Sequence, residues 1–265
     1  MTGRPATREA RFAGKVVAIT GAASGIGRGI ALRLAEEGAA ILAMDLDPDG
    51  LRDLASAIAG SGGRCETTQG SVADLATIDR FLAGATSAFG GLDALVNNAG
   101  IAGPMKRLDQ VEAAEFDLTV AVNLRPVWYA MKAAYPLLCE RGGGAILNVS
   151  SMAGIRPNRH HAPYGMTKAG VISLTHHAAI DYAPANIRVN CLCPGPVDTP
   201  IFEQMRATMD PAAYQAARER LERRTLVRRF GSTEEQASAA AFLLSDEAGF
   251  VTGIAMPVDG GWAIA

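Results

Sequence analysis

The chain has no apolar run of about eighteen residues, so no membrane-spanning helix is expected. Its opening stretch, Met-Thr-Gly-Arg-Pro-Ala-Thr-Arg-Glu-Ala-Arg, has no apolar core of a secretory signal and reads as a flexible polar arm over residues 1–12. Neither sign of charge is in excess. A net charge of −2 gives no electrostatic case for nucleic acid or an anionic membrane as partner. Cysteine is scarce, with only Cys65, Cys139, Cys191 and Cys193. Cys-Leu-Cys at 191–193 lacks metal-ligand spacing and no histidine cluster accompanies it, so no metal is expected. Buried reduced thiols in a cytoplasmic protein are the better reading. What is present, 49% apolar and 20% charged residues over 265 positions, suits a globular protein with a sizeable core.

Short β-rich runs alternate with helical stretches. Strands are expected at Lys15–Thr20, Ala40–Asp45, Arg64–Gln69, Asp93–Val96, Ala145–Val149, Ile187–Leu192 and Ile254–Val258. Helices are expected at Gly25–Glu37, Pro48–Ala59, Asp74–Phe89, about Gln110–Cys139, from Tyr164 to about Tyr182, and Thr233–Leu244. Pro126 can kink or divide the fourth. Strands this apolar are expected to be buried on both faces of a parallel sheet covered by helices. Alternation with right-handed crossovers makes the fold class α/β, a doubly wound sheet over residues 13–265 in one domain. Residues 196–230 are the exception. This insertion follows the sixth strand, where such folds place their ligand crevice, and can serve as a lid. Arg218, Arg220, Arg223, Arg224, Arg228 and Arg229 crowd its end. Because Glu219 and Glu222 are interleaved with them, a solvated helix face or a subunit contact is expected rather than an anion site.

Thr20-Gly-Ala-Ala-Ser-Gly-Ile-Gly27 joins the first strand to the first helix. Gly21, Gly25 and Gly27 let the backbone turn sharply and approach a pyrophosphate, and the helix N-terminus adds free N–H groups and a positive dipole end. Asp45 ends the second strand, where a carboxylate can accept hydrogen bonds from an adenosine ribose diol and repel a 2′-phosphate. Leu46, Asp47 and Pro48 follow it without a cation, which favours NAD over NADP. Asn97-Asn98-Ala99-Gly100 suits a tight turn beside a cofactor, or a plain turn. Asn123 falls inside a helical stretch, where a buried amide needs partners. It holds a water or caps a neighbouring turn.

Tyr164 and Lys168 stand four apart, and Ser151 lies thirteen before Tyr164. In a helix the first two share a face, one turn apart. A free phenol titrates near about 10 and is a poor base at neutral pH, but an adjacent cation favours its charged form. A hydroxyl such as Ser151 can hold a substrate oxygen while Tyr164 moves the proton. Taken alone, the pair reads better as an ordinary helix-face contact; the rest of the chain changes that weighting. Candidate walls for a substrate are Ile101 to Met105, Met152, Arg156, His160, His161, Phe202 and Met205. Their Phe and Met content suits an apolar or cyclic substrate. His161, three before Tyr164, faces either substrate or the protein surface.

These pieces together resemble the short-chain dehydrogenase/reductase family: Thr-Gly-Ala-Ala-Ser-Gly-Ile-Gly at 20–27, Asn-Asn-Ala-Gly at 97–100, Asn123, Ser150-Ser151, Tyr164-x-x-x-Lys168, Pro194-Gly195 and Val258-Asp-Gly-Gly261. They run in family order from about residue 12 onward. The resemblance implies a Rossmann-like sheet of seven parallel strands, a homotetramer, and hydride transfer between NAD(H) and a secondary alcohol or ketone. It implies Tyr164 as general acid/base, Lys168 on the nicotinamide ribose, Ser151 on the substrate oxygen and Asn123 in a water relay. The implied cofactor contacts are Gly21, Ser24, Gly25, Ile26, Gly27, Asp45, Ser71, Val72, Asn97, Ala99, Gly100, Pro194, Gly195, Val197 and Thr199. Ser71-Val72 stands where the family commonly has Asp-Val against adenine, a weaker clamp. Two rival readings are an NADP-dependent biosynthetic ketoreductase, which Asp45 opposes, and a catalytically silent NAD-binding scaffold. A scaffold has no chemical need for Asn123, Ser151, Tyr164 and Lys168 together.

Overall fold

A computed structural model describes residues 10–199 and 210–265. Most of the expected N-terminal arm, residues 200–209 of the expected lid, and with them the substrate candidates Phe202 and Met205, lie outside the described residues.

Seven strands form one parallel sheet: β1 (Val16–Thr20), β2 (Ala40–Asp45), β3 (Arg64–Gln69), β4 (Ala94–Asn97), β5 (Gly144–Val149), β6 (Ile187–Pro194) and β7 (Ala255–Val258). Their order in the sheet is β3-β2-β1-β4-β5-β6-β7. The helices are α1 (Gly25–Glu36), α2 (Pro48–Gly60), α3 (Leu75–Phe89), α4 (Ala113–Asn123), α5 (Arg125–Glu140), α6 (Ala162–Tyr182), α7 (Pro211–Glu222) and α8 (Thr233–Leu244). The chain order reverses between β1 and β4, so the crevice of the fold opens there, beyond the carboxyl ends of the strands.

The side-chain period of two divides each central strand between two cores. Val17, Ile19 and Ile41 pack with Ile30, Leu34 and Leu54 of α1 and α2 and with Ala240 and Leu243 of α8. Ala18, Leu42 and Leu95 face the other way, against Phe81 of α3, Met131 and Leu138 of α5, and Val171 of α6. Each fully buried large side chain contributes about 1.5–3 kcal/mol. The expectation of strands buried on both faces holds for the centre and fails at the edges. Arg-Cys-Glu-Thr-Thr-Gln of β3 is largely exposed, and β7 is only half-buried. An outer strand has one neighbour and less helical cover, and β3 carries the polar residues suited to that place.

Local chemistry sets the ends of the helices. Asp47 caps α2 by accepting from the N–H groups of Asp49 and Gly50, and Ser232 with Glu235 forms a capping box on α8. The expected break near Pro126 occurs at Leu124, whose φ of −121° and ψ of −55° separate α4 from α5. The residue before that break, Asn123, thereby ends a helix beside the crevice. Among the described residues no helix is long and apolar enough to cross a membrane. Cys191 and Cys193 are buried as expected, whereas Cys65 and Cys139 are only partly covered; all four are free thiols.

Candidate active site

A cleft of about 970 Å³ lies over the carboxyl ends of β1, β2, β4, β5 and β6. That volume is in the range of sites that hold cofactor and substrate together. Its floor is the turn from β1 to α1. Gly21 has φ +66°, and a Cβ there would lie 2.8 Å from the Ala99 Cα. A Cβ on Gly27 would lie 2.0 Å from the Gly21 carbonyl oxygen. Only glycine permits the first turn of α1 to fold so tightly over the end of β1. Ser24 precedes that helix and makes no side-chain cap, which leaves the N–H groups of the first turn facing the cleft. This backbone cradle fits a pyrophosphate.

Asn98 holds the cradle to the neighbouring loop. Its Nδ2 donates to the carbonyl oxygens of Thr20 (3.1 Å) and Gly21 (2.9 Å), and its own N–H donates to Thr20 Oγ1 at 3.1 Å. The loops after β1 and β4, the two strands flanking the reversal, are thus joined into one rigid rim. The sequence reading chose Asn97 for the cofactor; the structure corrects this. Asn97 ends β4 pointing into the sheet, where its Nδ2 donates to Asn148 Oδ1 at 2.9 Å and it is buried away from the cleft. Gly27 likewise lies beneath the cradle and shapes it without lining it. Gly21, Ser24, Gly25, Ile26, Asp45, Ser71, Val72, Ala99, Gly100, Pro194, Gly195, Val197 and Thr199 all line the cleft.

Asp45 closes one end. Its carboxylate accepts from the N–H of Ala23 at 2.9 Å and of Asp47 at 3.1 Å, which fixes its plane and leaves other lone pairs toward the cleft. Ser71 and Val72 stand beside it, with exposed Leu46.

Ser151, Tyr164 and Lys168 gather at the middle of the cleft. Ser151 follows β5, and its Oγ accepts from the N–H of Ala153 at 3.1 Å, which leaves its O–H free to donate. Lys168 lies one turn after Tyr164 on α6, with Nζ 5.7 Å from the centroid of the phenol ring. Nζ also donates to the Val149 carbonyl oxygen at 2.9 Å, and the side chain is 4% exposed. Such burial without a carboxylate partner is rare for lysine and marks a site. Asn123 is behind this group. Its side chain clasps the backbone of Ile101, with Oδ1 accepting and Nδ2 donating, each at 2.8 Å. Its amide braces the loop after β4, the partnered state a buried asparagine requires.

His161 faces the cleft. Its ring stacks on Tyr164 with centroids 4.5 Å apart and planes 12° from parallel. Nε2 lies 2.9 Å from the Ala102 carbonyl oxygen, and a carbonyl only accepts, so this nitrogen carries the proton. Burial pushes the imidazole below its ordinary range, against the pull of that hydrogen bond. Met152 and Arg156 are corrections to the expected substrate wall. The turn after β5 (Met152–Gly154) directs Met152 into the core at 1% exposure, and Arg156 donates outward to the carbonyl oxygens of Trp262 and Ala265. Nothing in the sequence reading placed Asn158, Arg159, Leu221 and Trp262 at the site, and Arg220 and Arg224 were expected on a solvated face or subunit contact; all six line the cleft, as does Asn98.

A family model described as enoyl-(acyl carrier protein) reductase matches residues 21–263. Levodione reductase of Leifsonia aquatica is 36% identical over 266 residues, covering 100% of this chain and 98% of that protein. Cis-4-hydroxycyclohexanecarboxylate dehydrogenase of Sinomonas cyclohexanicum is 39% identical over 251 residues, covering 95% and 97%. The crystal structure of levodione reductase superimposes with a TM-score of 0.91 at 35% identity, covering 96% of this chain and 99% of that one.

Proposed function

The chain belongs to the short-chain dehydrogenase/reductase family of oxidoreductases, and from that premise we propose that it interconverts a cyclic secondary alcohol and its ketone with NAD, using Tyr164 as general acid/base. The observation that carries this reading is the meeting of Ser151, Tyr164 and Lys168 in one cleft whose floor is a glycine cradle. NAD bound there supplies the hydride acceptor or donor. The backbone N–H groups of the α1 turn hold its pyrophosphate, Asp45 accepts from the adenosine ribose, and Lys168 donates to the nicotinamide ribose. Ser151 donates to the substrate oxygen and fixes its place. Tyr164 takes the hydroxyl proton in oxidation and returns it in reduction. Asn123 holds the Ile101 loop against the reacting group, and we extend its role to the water relay that feeds Lys168.

Preference for NAD is supported by charge. Among the described residues lining the cleft, the cations are Arg159, Lys168, Arg220 and Arg224, and none stands beside Asp45. A 2′-phosphate there would meet a carboxylate and no counter-ion. The substrate class is supported by relatives whose names specify levodione and a hydroxycyclohexanecarboxylate. Residues 196–230 serve as the lid in this reading, with Pro196, Val197, Thr199 and the cleft-facing side of α7 in its wall. The homotetramer has support in exposed Phe116, Leu118 and Trp128 on α4 and α5, and a cytoplasmic location in the four free thiols.

A panel of cyclic and acyclic alcohols, followed through NADH absorbance with NAD+ and again with NADP+, tests the reading. Cyclic secondary alcohols with NAD+ should be the productive set. Tyr164→Phe should cut turnover by about 10²–10⁴-fold with NADH binding retained; unchanged turnover would remove the assigned acid/base.

A further inference from the structure

The arginines of residues 218–229 divide into two groups. Arg218 is paired with Asp198 and Glu222, Arg223 with Glu219, and Arg229 with Glu235. Arg228 donates to the Arg223 carbonyl oxygen. None of these four lines the cleft. Arg220 and Arg224 do, and neither has a carboxylate partner among the described residues. The division follows the helical period: Ala217, Arg220 and Leu221 of α7, and Arg224 in the turn just past its end, recur at three and four residues and line the cleft.

A third guanidinium, Arg159, enters from the opposite wall, on the loop before α6. Arg159 and Arg220 have no hydrogen bond or ion pair among the described residues. Arg224 lies over the Trp262 ring at 5.7 Å, and its Nη1 is 3.5 Å from Asn158 Oδ1. A guanidinium stacked on an indole keeps its N–H edges available for a bidentate acceptor. The Asn158 contact ties the Arg159 loop to the end of α7. Three like charges therefore share one end of the cleft, beyond Tyr164. The cleft's described carboxylate, Asp45, is at the other end. The expected pairing with Glu219 and Glu222 is present for Arg223 and Arg218, and Arg220 and Arg224 have no such partner among the described residues.

We infer that Arg159, Arg220 and Arg224 form a subsite for the carboxylate of a cyclic hydroxy acid or its keto acid, the ring lying between Trp262, Leu221 and Tyr164. This rests on the dehydrogenase reading of the same cleft and names the substrate class within it. A carboxylate supplies the counter-charge the three guanidiniums lack among the described residues, and its placement sets which ring carbon is presented to Tyr164.

The test compares 4-hydroxycyclohexanecarboxylate, its methyl ester and 4-methylcyclohexanol, with NAD+ and with NADP+. The acid should exceed the ester in kcat/KM by about tenfold or more, the scale of a charge-assisted hydrogen-bonded pair. Arg220→Ala and Arg224→Ala should each lower the acid-to-methylcyclohexanol ratio of kcat/KM about tenfold, chiefly through KM. Arg220→Glu should turn selectivity toward 4-(aminomethyl)cyclohexanol, a gain that mere structural damage would not produce. An ester used as well as the acid by the wild type, or variants that lose the acid and the neutral alcohol equally, would overturn the subsite. A tenfold weakening of NADH binding in Arg220→Ala would assign the guanidiniums to the cofactor instead and also overturn it. Turnover of the neutral alcohol without acid preference leaves the dehydrogenase reading standing while this inference fails. No turnover of any of the three compounds or of the wider alcohol panel removes both.

Discussion

At the Asp45 end the cleft is lined mainly by main chain from the turns after β1, β2 and β3, held by glycines and by carboxylate–amide bonds. At the Arg220 end it is lined by long side chains from three separated segments: the loop before α6, the end of α7, and Trp262. The first end tolerates almost no change because its shape is backbone packed on backbone. The second is exposed and its contacts are few, so its residues can change with little cost to the fold. Binding of a common cofactor needs the first kind of wall, and choice among substrates is served by the second kind.

The sharpest way to break that comparison is to change one residue in the glycine cradle and one at the Arg220 end. Gly27→Ala puts a Cβ 2.0 Å from the Gly21 carbonyl oxygen and should cost about 3 kcal/mol with loss of NADH affinity, whereas exposed Arg220→Ala should stay within about 0.5 kcal/mol. Chemical denaturation of both variants, with NADH titration of each, decides it; equal stabilities would refute the backbone-packing account. Next in size, Asp45→Ala should relax discrimination against NADPH by about ten- to hundredfold. The ratio of kcat/KM for the two cofactors is the measurement, and an unaltered ratio would move cofactor choice elsewhere.

The smallest effect concerns the boundary between the two ends, where His161 stacks on Tyr164. Burial holds this imidazole below its ordinary value of 6.5, so the neutral ring is the form the fold accommodates. The unfolded chain binds the proton first as pH falls. Stability linked to His161 is therefore complete above about pH 6.5 and declines below it, toward the depressed folded value. His161→Phe keeps a ring against Tyr164 and removes the titrating group. Between its Tm and that of the wild type, the gap should shift in favour of the variant on acidification; a pH-independent gap would show that His161 titrates normally. The Tyr164 ring and the Ala102 carbonyl that face it are common to both proteins.

Legibility in the sequence tracked how local each feature is. The turn over residues 20–27, Asp45 at its strand end, and Tyr164 with Lys168 were readable because each is fixed by spacing within one strand–turn–helix unit. Asn97 was misread because one residue's shift along a strand end exchanges the sheet interior for the cleft, and the sequence does not mark where β4 stops. Met152 was misread for a similar reason: one short turn after β5 sends it inward. The split among the arginines was available in principle, since 217, 220, 221 and 224 share a helical face, but nothing in the spacing says which face meets the cleft. The polarity of Arg-Cys-Glu-Thr-Thr-Gln at 64–69 was there to mark an edge strand, yet the segment was grouped with its apolar neighbours as buried on both faces.

By itself the sequence determined the α/β class, the elements other than α7 to within a few residues, the glycine cradle and the Tyr–Lys pair, because periodicity and backbone sterics act over a few residues. Only the tertiary structure decided that Asn98 rather than Asn97 closes the rim, that His161 lies flat on Tyr164, and that Arg159 shares one end of the cleft with the distant Arg220 and Arg224. Those outcomes depend on how the crossovers set loops from different strands side by side over the carboxyl ends of the sheet, a long-range arrangement that no short window of residues encodes.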